Sequence, residues 1–477
     1  MAWGFTNIGD SQDLFVETRE SGSVRRFLGP AGFYDARSEE VEIPVRFEAS
    51  EKLRILHTRH GPLISEDPPI ALAWAAQRVE NVGLDGLFDL NLATDWQTTS
   101  DALDRLPAPS ACATYADIEG HVAFRVVGAL PIRGRGEGLV PLPGHEVGVA
   151  WRGLLPMEDL PRLLDPPDGF TAAANARVNP PGEGPLISAD NSPGYRIGRI
   201  QEVLSGRHDH TPRDMQRLQM DWRNGQAERL LPRLLHDLGG ASLGALPDRS
   251  REALEAWSLD PINAPDAGAP LLFLRWYLAL AKELFAERLG EEMWPRLLRN
   301  SYVMNQAVDG LVLSRDDSPW WRSERLGIVR ETFMHAVAEV ASELGGEPQT
   351  WHWRERHQVY LVHELSTAIP FIGRWLDRGP YPWGGDHATV GRAGYRYDRP
   401  ERVRSGATMR VVLEMTKPPR ARVILPGGQA GHPSDPHYDD QVAPWLAGDL
   451  EEIEGGSAIR PVSVLRLEVE GASATVR

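Results

Sequence analysis

The sequence predicts an α+β protein whose chain runs from strands to helices and back to strands. Up to about residue 160, apolar and polar residues alternate in runs such as "VEIPVRF", "LRILHTR" and "HVAFRVVGALPIR", separated by Gly, Pro and acidic turns. From about 190 to 350 the apolar residues recur at three- and four-residue spacing, and after about 350 the alternation returns. The expected organisation is therefore a strand-rich region over residues 1–190, a helical region of about 190–350 and a strand-rich region of about 350–477 within one unit. The two β regions could pair into one sheet system with the helices packed outside.

The first strand-like run is Leu14-Phe15-Val16, after the acidic pair Asp10 and Asp13. One helix interrupts the early strands, "TDWQTTSDALDRL", with an Asp/Thr start signal. "LVPLPG" and "WRGLLPMEDLPRLLDPPDG" read as Pro-rich loop. In "FTAAANARVNPPGEGPLISADNSPGYRIGRI" a short apolar strand delivers Asn175 into a Gly/Pro-rich loop. That loop passes Asp190 and enters a helix bearing Arg196. "TPRDMQRLQMDWRNGQAERLLPRLLHDL" begins with a capped start. "PLLFLRWYLALAKELFAERLG" and "RLGIVRETFMHAVAEVASELGG" are helices ended by glycine. The last strands are "TMRVVLEM", "RARVILP" and "RPVSVLRLEVEG".

Composition narrows the function classes. With 42% hydrophobic and 25% charged residues and 15 tryptophans over 477 residues, the chain is an ordinary globular protein. A net charge of −16 and a pI near 5.4 argue against a nucleic-acid binder, which needs a basic face. The only lysines are Lys52, Lys282 and Lys417, so Schiff-base candidates are few and no P-loop lysine is present. The single cysteine, Cys112, excludes an intrachain disulfide and reads as a buried structural thiol. The longest apolar run is broken by Arg275 and Lys282 and is too short to span a bilayer.

General catalytic motifs are mostly missing. There is no G-x-S-x-G elbow, and "HELST" lacks the second His of H-E-x-x-H, Thr367 standing in its place. His57 and His60 fall on opposite faces of a strand pattern, and His208 and His210 lie in a polar loop. In "LPGGQAGHPSDPHYDDQ", His432, His437, Asp439 and Asp440 could ligate a hydrolytic metal. The same stretch also reads as a capped helix start leading into "DDQVAPWL". Asn175, at a strand end before its loop, could aim an amide N–H at a developing oxyanion or simply hold a turn.

The blocks "AWGFTNIGDSQDLFVE", "TRHGPLIS", "YADIEGHVAFRVVGALPIR", "WRGLLP", "TAAANARV", "SPGYRIGRI", "WHWRERH" and "LPGGQAGHPSDPHYDDQ" resemble, in the same order, blocks of the penicillin acylase (penicillin amidase) family of N-terminal-nucleophile hydrolases. The resemblance covers nearly the whole chain. It implies an αββα sandwich with a helical insertion. It also implies hydrolysis of a linear amide, a β-lactam side chain or an acyl-homoserine lactone, through an acyl-enzyme. Members of the family are made as one precursor cut into an α and a β chain, and the β chain opens with a serine whose own amino group is the general base. The "AWG" block lies some way into that β chain. The resemblance therefore implies a β chain lacking its first stretch, its nucleophile and the α chain, and a chain inactive alone. The alternative is a non-catalytic, calcium-binding remnant or interaction protein. Intact members are typically periplasmic or secreted, while the compartment is not readable from this chain.

By the same resemblance, the backbone N–H of Asn7 and the side-chain amide of Asn175 would form the oxyanion hole, with Arg196 bracing Asn175. Asp10, the carbonyl of Gln12, Asp13, the carbonyl of Pro141 and Asp190 match ligands of a structural calcium, hard oxygen donors that suit that ion. A sixth carboxylate would come from the α chain. Two departures from the family pattern bear on the acyl pocket: Ala176 where a second Asn is common, and a long loop from Asn175 to Asp190.

Overall fold

The computed structural model describes residues 1–9, 11–78, 83–180, 182–315 and 318–453. The expected strand "RPVSVLRLEVEG" lies outside the described residues. An antiparallel sheet is built from Ala2–Asn7, Ala111–Ala116, Val122–Val127 and Arg162–Leu164, in that order. Alternation gives its central strand two buried faces. Ala111 and Ala113 face the helices Leu84–Leu92 and Trp96–Asp104 through Leu90, Ala102 and Leu103. Cys112 packs on the other side with Phe124, Val126, Leu130 and Ile187. The helix Trp96–Asp104 starts as expected, on a capping box between Asp95 and Thr98.

A second sheet runs Leu142–Pro143, Gln12–Val16, Pro69–Trp74 and Leu63–Glu66. Two stretches expected as loop thus supply strands. Leu142–Pro143 pairs in parallel with Phe15 and Val16, and Arg162–Leu164 pairs with Val122–Val127. Both are edge positions, where proline and irregular spacing are tolerated because one side needs no ladder partner.

The helical region packs around Trp276, Phe333, Leu280, Val308 and Trp321. The long capped stretch is two helices, Pro212–Leu218 and Gly225–Leu238, the second starting afresh where the Asn224 side chain accepts from Ala227 N–H. Within Ala269–Leu297 the first helix stops as expected at Gly290, φ 69° and ψ −178°, and a second helix follows it to Leu297; Arg325–Leu344 likewise ends at Gly345. No helix of the described residues is long and apolar enough to cross a membrane.

The C-terminal strands form their own sheets, Arg378–Pro382, Gln358–Leu361, Arg399–Ser405 and Gly394–Arg396 in one, and Arg410–Glu414, Arg420–Ile424 and Glu451–Ile453 in another. Among the described residues, none pairs with a strand of the first region, contrary to the single sheet system expected. Both edges of Gln358–Leu361 are taken by C-terminal neighbours, and these strands close over their own core of Trp383, Trp445, Val403 and Ile424.

Between these strands and the helices lies a buried polar seam. Asp386 accepts from Asn224 and Asn263 at 2.7 and 2.8 Å. His357, fully buried, stacks on Trp353 with ring centroids 4.3 Å apart. Burial pushes the His357 and His387 imidazoles down to about 3. A histidine held below its ordinary value stabilises the fold above its unfolded pKa, and that contribution is lost as the pH falls from about 6.5 toward 3. His357→Phe is therefore expected to be near neutral at pH 7. At pH 4.5 it should be more stable than the parent by about 2 kcal/mol, read by urea unfolding at the two pH values. Equal differences at both would show that His357 does not couple folding to protonation.

Candidate functional site

The strand Ala2–Asn7 stops where the Asn7 side chain turns back, its Oδ1 accepting from Gly9 N–H at 2.8 Å. Facing it is Asn175. The segment 171–175 is not the strand expected. Its end takes a left-handed conformation, with Asn175 at φ 59°, which a short polar side chain tolerates better than most. Three hydrogen bonds hold the residue there. Its Nδ2 donates to the Asn7 carbonyl at 2.7 Å. Its Oδ1 accepts from Arg196 Nη2 at 2.9 Å. Its own carbonyl accepts from Ser192 N–H at 2.8 Å. The amide plane is thereby fixed at both ends, and Nδ2 retains a second N–H. Burial, then the nearby Arg392, holds the Arg196 guanidinium below its usual range. Asn7, Asn175 and Arg196, far apart in sequence, are thus brought into one hydrogen-bonded chain.

Beside Asn175 opens a cavity of about 280 Å³, lined by Cys112, Phe124, Leu163, Phe170, Ala174 and Ile197 among others. Its floor is one face of the first sheet and its wall the segment leading to Asn175. Burial pushes the Cys112 thiol up to about 12, so it is a lining group and a poor nucleophile.

The residues matched to calcium ligands fare differently. Gln12 and Asp13 lie on one strand, Pro141 immediately precedes the strand paired with it, and the Asp190 carbonyl stands 3.2 Å from where a Cβ on Gly9 would sit. Asp10 lies outside the described residues. The Asp13 carboxylate, however, is already bound. Arg133 Nε donates to both its oxygens at 3.1 and 3.2 Å, and Trp151 Nε1 donates to Oδ2. The two side chains of that ion pair are 6% and 5% exposed. No three acidic, His or Cys side chains converge to hold a metal among the described residues. The described residues therefore do not fit a calcium ion at Asp13, because a guanidinium supplies the positive charge there. Chelation with EDTA is expected to leave the unfolding midpoint unchanged. Arg133→Leu should cost about 3–5 kcal/mol by stranding a buried carboxylate. A rise in midpoint on adding calcium would restore the ion.

Elsewhere the histidines are tied locally. His57 Nε2 lies 3.1 Å from Glu39, and His60 lies 3.0 Å from the Gly144 carbonyl and stacks on Phe15. His210 sits 3.0 Å from the Leu204 carbonyl. In the C-terminal loop His437 pairs with Asp440 at 2.7 Å, Asp439 pairs with Arg378, and His432 accepts from Ser434 N–H. These groups point apart, and the helix there begins only at Val442. Ser192 and Tyr195 stand in the block "SPGYRIGRI", but nothing in the sequence marks Gln306 and Asp309, which meet that segment around Asn175's support; Tyr195 OH donates to Asp309 at 2.7 Å.

Similarity to known proteins extends over nearly the whole chain. The family model described as penicillin amidase matches residues 1–457. The chain is 27% identical to an acyl-homoserine lactone acylase, QuiP, of Pseudomonas aeruginosa, over 94% of this chain and 58% of that protein. It is 28% identical to the penicillin acylase 2 proenzyme of Pseudomonas sp. strain SE83, over 91% and 56%. The chain thus spans less than two thirds of the length of these relatives. In structure it resembles a thermostable penicillin G acylase from Alcaligenes faecalis, with a TM-score of 0.73 at 16% identity, covering 98% of this chain and 88% of that one.

Proposed function

Because the chain belongs to the penicillin amidase family, with the N-terminal-nucleophile hydrolase fold of its structural neighbour, we propose that these residues form most of the β chain of an amide-hydrolysing acylase. The N-terminal serine and an α chain would come from outside the 477 residues. The observation that carries the reading is Asn175, an amide pinned by Arg196 and Asn7 with one N–H left to give. In the proposed reaction the serine Oγ bonds to the substrate carbonyl carbon as its amino group takes the hydroxyl proton. The carbonyl oxygen gains negative charge and accepts hydrogen bonds donated by Asn175 Nδ2–H and Asn7 N–H. Collapse expels the amine with that proton and leaves an acyl-enzyme, which water cleaves to the carboxylic acid. The amine or lactone leaving group and the acyl chain are those of a small-molecule amide. The acyl-homoserine lactone acylases among its relatives support an acyl-homoserine lactone as the amide, and the cavity beside Asn175, lined by Phe124, Leu163, Phe170 and Ile197 together with polar groups such as Arg177 and Gln201, offers room for an acyl chain.

Exposed apolar surface on the face of the first sheet opposite the cavity supports an upstream partner. Trp3 and Phe5, 37% and 39% exposed, sit on an edge strand, and Leu84, Phe88 and Leu92 form an uncovered helix face at 62%, 69% and 78%. A calcium ion has no part in this reading. The test is hydrolysis of a phenylacetyl anilide and of an N-acyl-homoserine lactone. The chain alone is expected to be inactive, and a precursor supplying the serine and α chain active. Turnover by the chain alone would overturn the placement of the nucleophile, and inactivity of the assembled enzyme on both substrates would overturn the acylase reading.

A further inference from the structure

We infer that Gln306 and Asp309, on the helix Ser301–Leu313, are positioning residues for Asn175, an inference that rests on the oxyanion role proposed above. The link is the short segment 191–196. On one side it is held twice by that helix. Gln306 Nε2 donates to the Asn191 carbonyl at 2.6 Å, and Tyr195 OH donates to Asp309 Oδ2 at 2.7 Å. The two helix residues are three apart and so share a face. On its other side the same segment holds Asn175 twice, through Ser192 N–H to the Asn175 carbonyl at 2.8 Å and Arg196 Nη2 to Oδ1 at 2.9 Å.

The segment has little to fix it from within. The helix Tyr195–Ser205 starts at Gly194 with no side-chain cap, so its first turn, which carries Arg196, depends on outside clamps. Asp309 is suited to be one. It is 5% exposed and also accepts from Gln226 at 2.9 and 3.1 Å and from Tyr277 at 2.9 Å. Those partners stand on the helices Gly225–Leu238 and Ala269–Leu297. The helical region is thereby the frame against which the oxyanion amide is set, and a donor acts at full strength only when held in place before charge develops.

The test reads the side-chain amide of Asn175 by NMR in the full chain carrying isotope-labelled asparagine, its cross-peaks identified by their loss in Asn175→Asp. Gln306→Ala, at an exposed position, and Tyr195→Phe are each expected to shift those cross-peaks. Tyr397→Phe removes a hydroxyl that bonds Asn305 in the same buried cluster but does not reach 191–196, and it should leave them in place. Unmoved cross-peaks in Gln306→Ala and Tyr195→Phe, or an equal shift in Tyr397→Phe, would overturn the inference. No turnover is read, so a failure of the acylase reading shows in the hydrolysis assay and leaves this result separate.

Discussion

Asn175→Gly, in an acylase assembled with its nucleophile, is expected to lose about 10²–10³ in kcat with KM little changed. Glycine is the informative replacement because Asn175 sits at φ 59°. Alanine there would add backbone strain of about 1–2 kcal/mol, whereas glycine removes the amide alone. The lost group is one donor to the developing oxyanion, and such a group lowers the barrier only where charge appears. Removing it also frees Arg196 Nη2 from its 2.9 Å bond to Oδ1, so a second, smaller effect on packing beside the cavity is expected. A kcat within about threefold of the parent would remove Asn175 from the oxyanion hole.

Arg325→Ala is expected to be the most damaging single change to stability in the helical region. Arg325 and Asp237 form an ion pair at 2.7 Å with both side chains 4% exposed. The guanidinium also donates to the carbonyls of Leu311, Val312 and Ser314, at 3.3, 2.5 and 3.4 Å. They lie at and just past the end of the helix Ser301–Leu313, where carbonyls lack an intrahelical donor; that of Leu311 also accepts from Ser314 N–H and Trp321 Nε1. The guanidinium carbon lies 4.5 Å from the ring centre of Trp321, which is itself fully buried. Truncation leaves a buried carboxylate and the Val312 and Ser314 carbonyls short of a donor, a loss of about 3–5 kcal/mol. Urea unfolding followed by circular dichroism checks it, and a loss under about 1 kcal/mol would show that Arg233, the neighbouring partner of Asp237, suffices.

Local order was legible in the sequence wherever its cause is local. The two-residue alternation placed Val122–Val127, and the three-to-four-residue spacing placed Arg325–Leu344 with its stop at Gly345. A Thr98 three residues after Asp95 started a helix. Block resemblance, residue by residue, marked Asn7, Asn175 and Arg196 as belonging to one site. Their mutual geometry needed the fold. Asn7 and Asn175 are 168 residues apart and meet at 2.7 Å, and no spacing along a chain encodes such a closure. For the same reason Leu142–Pro143 and Arg162–Leu164 became strands against their composition, because a sheet edge formed elsewhere in the chain was there to receive them.

The sequence by itself determined the α+β class, the strand–helix–strand order, the family and which residue types stand at the site. Tertiary structure alone decided what each side chain touches. Asp13 carries an oxygen set fit for a cation, yet Arg133, 120 residues away, reaches it. Asp309 is an unremarked acidic residue in a helix until Tyr195, Gln226 and Tyr277 converge on it. Propensity and periodicity act over a few residues, whereas burial, charge pairing and the aim of a hydrogen bond are set by whichever distant segments the packed core brings together.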